Sequence, residues 1–278
     1  MKKVINYMVL MTVAFSATTL SSCYKKFDAA SYAPALSIGG YTSAKQIAPS
    51  SLVGYWGFNG SLVDSVSNNN GTNSGTTFTG GIKGQALQTT GNSYVVYNTP
   101  AAVQNLHSFT ISAWVNAPQN STGIAGVLDI ANANNFWGNL TIFFENGGTA
   151  TSGNLKIHVN NNGVDAWLGN YTIPNPWNQW INVAVTYDAS SSTFKIFFNG
   201  SKIATQTQAG YGSVVFQNAT KMVLGTVQFQ TTPSLTTTHG TEPWASNLNG
   251  LLDEVRIYNV ALSETDLGSL VKLEGRGK

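Results

Sequence analysis

Four tryptophans, Trp137, Trp167, Trp177 and Trp244, stand in or beside stretches rich in Asn, Gly and Pro. Sugar rings present flat C–H faces, so an indole with amides nearby has suitable chemistry for carbohydrate stacking. The competing use of each tryptophan is to anchor its own loop. The segment carrying Trp244, from about Thr231 to Asn247, is long for a connection between strands, and long loops often carry function. Asp253 is a second candidate. It alternates with Leu251, Val255 and Ile257, which aims its carboxylate inward at the start of a strand. A buried carboxylate needs a partner. Calcium is one, with Asp64, carbonyls near Asn59 and Gly60 and the Asn68–Asn70 turn as oxygen ligands. Backbone N–H groups or a lysine are the other.

Evidence for catalysis is thin. Glycoside hydrolysis uses two carboxylates about 5 to 10 Å apart. Glu145 ends a strand without an acidic neighbour in sequence, and alternation sends Asp253 and Glu254 to opposite faces. His107, His158 and His239 are far apart, and neither HExxH nor Gly-x-Ser-x-Gly occurs. Two carboxylates brought together by the fold alone remain open. On the face opposite Asp253, Glu254 and Arg256 read as a weak surface pair.

The single cysteine has a distinctive place. Lys2 and Lys3 precede an apolar stretch from about Val4 to Leu20, too short and interrupted for a spanning helix. It ends in Leu20-Ser21-Ser22-Cys23, which resembles the lipobox of bacterial lipoprotein signal peptides; an ordinary secretory signal is the alternative. The resemblance implies diacylglycerol on the Cys23 sulfur and cleavage before it, hence attachment to a membrane through acyl chains. The implied location is the bacterial cell envelope, at the outer membrane or cell surface.

Composition narrows the rest. Only 9% of residues are charged and 42% are hydrophobic, with Gly, Asn, Ser and Thr abundant, which suits short strands joined by polar turns. The formal charge of +2 vanishes once Lys2 and Lys3 are set aside, and the other basic residues are scattered. Nucleic acid is therefore excluded as an expected partner, since tracking phosphates needs concentrated positive charge.

The elements that must position these residues are strands. Phe109, Ile111, Ala113 and Val115 share one face, as do Leu140, Ile142 and Phe144, and Leu155, Ile157 and Val159. Ile181–Tyr187, Phe194–Phe198 and Leu251–Tyr258 repeat the pattern, and Asn199-Gly200 predicts a tight hairpin. Trp114, Phe143 and Phe197 fall on the opposite faces, as a stacking platform or as a second layer under loops. One helix is predicted near the C-terminus, with Ser263 as cap and Leu267, Leu270 and Val271 as its apolar stripe. The organisation expected is a signal peptide over 1–22, Cys23 and a flexible tether over 23–50, and a sandwich domain over 51–278. Such a tether spans roughly 30 Å.

Five blocks then show a specific likeness. Leu52–Phe58 with Asp64 and Asn68–Gly71, Gly84–Leu87, Ser108–Val115, Trp180–Asp188 and Gly250–Asn259 with Ala261–Ser263 resemble, in this order, laminin-G-like bacterial domains of the concanavalin-A-like lectin/glucanase superfamily. The likeness spans about 50–272. It implies an all-β fold, an antiparallel two-sheet jelly-roll sandwich with one short C-terminal helix, and a structural calcium near Asp253. Glucanases of this fold carry Glu-x-Asp-x-x-Glu, which is missing here. The leading expectation is a non-catalytic carbohydrate-binding or adhesive envelope lipoprotein whose partner is a polysaccharide or other glycan. A structural partner of other envelope proteins and a divergent glycoside-active enzyme are the alternatives.

Overall fold

Alternating apolar residues give each strand one face to bury, and sixteen strands among the described residues bury those faces between two sheets. The computed structural model describes residues 36–120 and 123–278; the leader and Cys23 lie outside them. The first sheet comprises β1 (Leu52–Trp56), β3 (Thr77–Gly80), β4 (Gln85–Gln88), β6 (Phe109–Asn116), β11 (Ile181–Asp188), β12 (Thr193–Phe198), β13 (Ser201–Thr207) and β16 (Leu251–Tyr258). Its order is β13-β12-β11-β6-β16-β4-β3, with β1 paired along the other half of the β16 edge that β4 uses. The second sheet comprises β2 (Thr72–Ser74), β5 (Tyr94–Asn98), β7 (Ile124–Ile130), β8 (Leu140–Thr149), β9 (Ser152–Asn161), β10 (Val164–Pro174), β14 (Lys221–Leu224) and β15 (Ala245–Asn247). Its order is β10-β9-β8-β7-β14-β5-β2, and β15 lies parallel to β7. Every other pairing between the described strands is antiparallel. The protein is an all-β jelly-roll sandwich, with the strands that alternation predicts and the architecture that the family resemblance implies.

The inward faces form one core. Ile111, Val183 and Ile196 of the first sheet meet Leu128, Ile142 and Ile157 of the second. Each fully buried aliphatic or aromatic side chain contributes about 1.5–3 kcal/mol. Asn199 and Gly200 both have positive φ and close the β12–β13 hairpin, as their residue types predict.

The outward faces are covered in different ways. Over the first sheet lies α2 (Glu264–Glu274), capped by Ser263, whose hydroxyl accepts from the Asp266 N–H at 3.0 Å. A shorter helix, α1 (Ala101–Gln104), joins β5 to β6. Trp114 and Phe197 are buried on the helix-covered side, and Phe143 is buried under loops on the second sheet. All three are second-layer residues rather than a platform.

Two expectations are corrected here. Residues 38–50, read as flexible tether, are packed against the domain. Ile38 and Tyr41 bridge, Ser43 and Gln46 form a capping box around a 3-10 turn, and the Tyr41 hydroxyl donates to Asp266 of α2 at 2.7 Å. Ala44 and Ile47 are buried, so among the described residues the packed domain includes the stretch from Ile38 to Ser50 that was assigned to the tether. The second correction concerns β16. Glu254 sits at φ 47, in the left-handed region, and the β16–β6 register shifts between Asp253 and Arg256. This bulge places two residues between the core side chains Leu252 and Val255. Asp253 pairs opposite the outward-facing Trp114 and so points away from the core, contrary to simple alternation.

The same bulge turns Glu254 and Arg256 into a buried ion cluster instead of a surface pair. Arg256, 1% exposed, donates to Glu254 at 2.8 Å and through Nε to Glu274 of α2 at 2.5 Å. Trp114 Nε1 donates to the other Glu274 oxygen at 2.8 Å, and the Tyr55 hydroxyl donates to Glu254 at 2.6 Å. Arg256 also lies 4.0 Å above the Tyr55 ring. Burial pushes the Glu274 carboxyl up to about 7, against the pull of Arg256. Arg256→Met should therefore lower stability by about 3–5 kcal/mol, because buried Glu274 loses its counter-charge and Glu254 keeps only Lys83, at 3.9 Å. Adding Glu254→Gln and Glu274→Gln should recover most of that loss. Urea unfolding of the single and triple variants measures both; a single variant as stable as wild type contradicts this account.

Candidate functional site

Four antiparallel strands of the second sheet put a row of side chains on its outward face. Asp129 of β7 pairs with Thr141 of β8, Thr141 with His158 of β9, and His158 with Trp167 of β10. Cross-strand partners stand about 5 Å apart on the same face, so the row is continuous. The residue one place before each of Thr141, His158 and Trp167 points into the core, which is why β-sheet alternation alone delivers Trp167 to this side.

Residues 131–139 then fold back over the row. Gln228 pins them: its Oε1 accepts from Asn132 N at 2.7 Å, and its Nε2 donates to the carbonyls of Asn135 and Phe136 at 2.7 and 2.9 Å. Gly138 passes so close to Asp129 that a Cβ there would fall 1.8 Å from Oδ1. Only glycine permits that approach. The loop thereby sets Trp137 in a stack on Phe143, with centroids 5.4 Å apart, and Phe136 in a stack on Phe229 at 4.5 Å. Residues 226–247 come alongside, held by Gln230, whose Nε2 donates to Glu242 O at 3.1 Å and to Ala245 O at 2.6 Å. This places Trp244 5.9 Å from Phe136 and 6.1 Å from Trp137. Trp137 meets Trp167 edge-on at 5.1 Å.

Three of the four tryptophans singled out in the sequence thus share one surface, though they come from widely separated segments. Trp167 is 39% exposed and Trp244 42%, while Trp137 is half-buried. Polar groups flank them. Lys156 Nζ lies 5.2 Å from the Trp167 ring centre and pairs with Glu145 at 2.9 Å. Asp165 is about half exposed and accepts from His158 Nε2 at 2.9 Å and from Asn160 at 2.6 Å. Burial holds the His158 imidazole below its usual pKa, against the opposing effect of Asp165, so at neutral pH the contact is a hydrogen bond. His239 stands edge-on to Phe136 at 4.3 Å.

Trp177 does not belong to this surface. It is 8% exposed, donates to the carbonyls of Thr149 and Ser152 at 2.8 and 3.2 Å, and packs against Phe144 of the core. It anchors its loop, the competing reading of its place in the sequence. Phe136, Phe229, His239, Lys156 and the pinning amides Gln228 and Gln230 were missed. The Phe136-Trp137 dipeptide was a legible hint for the first; nothing local distinguishes the two glutamines.

The two carboxylates expected as calcium ligands each accept main-chain hydrogen bonds. Asp64 accepts from the N–H groups of Tyr55 and Val66 on Oδ1 and of Ser67 on Oδ2, at 2.8–3.1 Å, and from the Ser67 hydroxyl. Asp253 accepts from Lys83 N at 3.0 Å and from Glu254 N at 2.7 Å. Both carboxylates meet main-chain donors, those of Asp253 coming in part from the distant turn at Lys83, the alternative stated for Asp253; no group of three His, Cys, Asp or Glu suited to a metal occurs among the described residues.

Comparison with known proteins adds the following. The family model described as the concanavalin A-like lectin/glucanases superfamily matches residues 89–268. No curated protein matches in sequence. Among solved structures, the binding domain of Paraclostridial Mosquitocidal Protein 1 superposes with a TM-score of 0.59 at 17% identity, covering 80% of this chain and 52% of that one. The botulinum neurotoxin serotype D ligand binding domain in complex with N-acetylneuraminic acid gives 0.59 at 14%, over 83% and 52%. Domain 4 of AbnA, a GH43 extracellular arabinanase from Geobacillus stearothermophilus, in complex with arabinotriose, gives 0.53 at 20%, over 80% and 98%. The chain spans about half the length of the toxin domains it matches. At these identities the likeness establishes the fold.

Beneath the surface, Asp129 is fully buried with Oδ1 unpartnered, while Oδ2 accepts from Gln228 N at 2.9 Å. Burial outweighs that bond and pushes its carboxyl from 3.8 up to about 7. An acid whose pKa is raised by folding stabilises the fold fully below its unfolded value and loses that contribution as pH climbs through the folded one. The melting temperature should therefore fall between pH 4 and pH 8, and Asp129→Asn should flatten part of that slope, the rest coming from the similarly raised Asp253 and Glu274. Equal slopes in wild type and variant, in melts recorded across this range, would show that Asp129 does not titrate as its burial requires.

Proposed function

The chain belongs to the concanavalin A-like lectin/glucanases superfamily, and from that premise we propose that it is a non-catalytic carbohydrate-binding protein of a bacterial envelope. The observation that carries this reading is the gathering of Trp137, Trp167 and Trp244 on one outward face, two of them substantially exposed. Indoles fixed in this way expose apolar area that gains by covering the C–H face of a sugar ring. Pinning by Gln228 and Gln230 means that little side-chain freedom is lost on binding. Lys156, Glu145 and Asp165 supply donors and acceptors at the rim for ring hydroxyls. The structural neighbours support the reading, since one was solved with N-acetylneuraminic acid and another with arabinotriose.

The Leu20-Ser21-Ser22-Cys23 sequence supports lipid anchoring at the outer membrane or cell surface. A second reading, docking of another envelope protein, draws on the same exposed aromatic patch, because such patches also mark protein interfaces.

Trp167→Ala and Trp244→Ala should each weaken glycan binding by about 1–3 kcal/mol with little change in melting temperature. Trp177→Ala should instead lower stability by about 3–5 kcal/mol, as loss of a large packed side chain does. Calorimetry against a polysaccharide panel, paired with thermal melts of each variant, separates the two behaviours. A wild-type protein that binds none of the panel favours the protein-docking reading.

Anchoring has its own test. Wild-type cells should incorporate labelled palmitate into the protein, and Cys23→Ser should abolish the label and shift the chain out of the membrane fraction. Identical fractionation with no label in wild type overturns the anchor.

A further inference from the structure

The outward face of the second sheet continues past the tryptophans. Residues 226–247 cross it as a ridge, with Phe229 and Trp244 on the aromatic side. On the other side, over β14, β5 and β2, the ridge walls off two hollows of about 400 and 460 Å³ that share Ser74, Tyr94 and Thr232. Each lies within the roughly 300–1,000 Å³ typical of small-ligand sites. The floor is Tyr94 and Val96, which face outward because Val95 and Tyr97 face the core. Much of the remaining lining is hydroxyl and amide, including Asn92, Gln230, Thr241 and Asn247. No carboxylate lines either hollow, and the single cation, Lys221, lines only the first, where its ammonium donates to the Asn98 amide at 2.6 Å and keeps its charge.

One group here lacks a partner. Asn247 is 8% exposed; its Nδ2 donates to Asn92 at 3.2 Å, but its buried Oδ1 accepts from nothing in the protein. Buried acceptors are almost always satisfied, so this one calls for a donor from outside, such as a water or a ligand hydroxyl. The hollows and the tryptophans are also adjacent through the chain. Gln230 lines the groove, follows Phe229, and donates to the carbonyl of Ala245, the residue after Trp244.

We propose that this groove is a second carbohydrate subsite, taking the hydroxyls of a neutral polysaccharide whose neighbouring rings stack on Trp244 and Trp167. The inference rests on the glycan reading above. An uncharged, hydroxyl-rich chain matches a groove lined mainly by amides and hydroxyls, with one lysine and no carboxylate. A stacking surface beside a hydrogen-bonding groove also selects for length, because a short glycan occupies only one of them.

The test uses the full mature chain against soluble arabinan, xylan, β-glucan and mannan, with polygalacturonate as the acidic comparison. The neutral polymer bound most tightly is then tested as a disaccharide-to-octasaccharide series. Wild-type affinity should rise with length by roughly tenfold or more, the scale of one or two added hydrogen bonds. The double variant Asn92→Ala/Thr241→Ala alters two exposed side chains; it should remove most of that rise and leave disaccharide affinity unchanged. Trp167→Ala should weaken all lengths. A length dependence that is absent in wild type, or unchanged in the double variant, overturns the groove and leaves the tryptophan surface standing. Preference for polygalacturonate overturns the neutral ligand class. Binding to no polysaccharide overturns the glycan reading and this inference with it.

Discussion

Arg256 lies buried between Glu254 of its own strand and Glu274 of α2, with Trp114 and Tyr55 donating to the same two carboxylates. Charges removed from water in this way persist only where each meets its partner in good geometry. That requirement reaches through the first sheet. The bulge at Glu254 must be present to turn both Glu254 and Arg256 outward, β6 must hold Trp114 opposite Asp253, and α2 must end where Glu274 can reach the guanidinium. The segment from Ile38 then packs on the helix so fixed, through Tyr41 and Asp266. Hydrophobic burial supplies most of the folding energy, but it is non-directional; the ion cluster specifies how the helix sits.

The two sheets use their outer faces differently. The first is sealed by a helix and a strap, and its polar groups are turned inward upon one another. The second is covered by loops, and loops cannot seal a face as a helix does, because their backbone groups need separate partners. Gln228 and Gln230 meet that need by bonding loop carbonyls, and the indoles left at the surface are the residue of an incomplete cover. Rigid amide pinning together with exposed aromatic area is the combination expected of a preorganised binding surface. The cost is carried underneath, where Asp129 is buried with an oxygen unpaired.

Much of this protein was legible locally. Alternation in Phe109–Val115, Ile181–Tyr187 and Leu155–Val159 identified strands and their buried faces, Asn199-Gly200 the hairpin, and Ser263 the helix start, because each depends on residues within one element. The same reasoning misplaced Asp253, since the bulge at Glu254 flips the residues before it relative to Val255 and Ile257 after it, which alternation did place in the core. The partners of Asp64 and Asp253 escaped it for a related reason: which donors reach a carboxylate depends on turns far apart in sequence, such as that at Lys83. Tryptophan content marked a possible binding surface, yet nothing in the sequence separated Trp177, which anchors its loop, from Trp137, Trp167 and Trp244. Only the pairing of β9 with β10 and the amide bonds from Gln228 and Gln230 bring those three together. Element type follows from short-range pattern. The composition of a surface follows from register and loop packing, which join residues that the chain keeps apart.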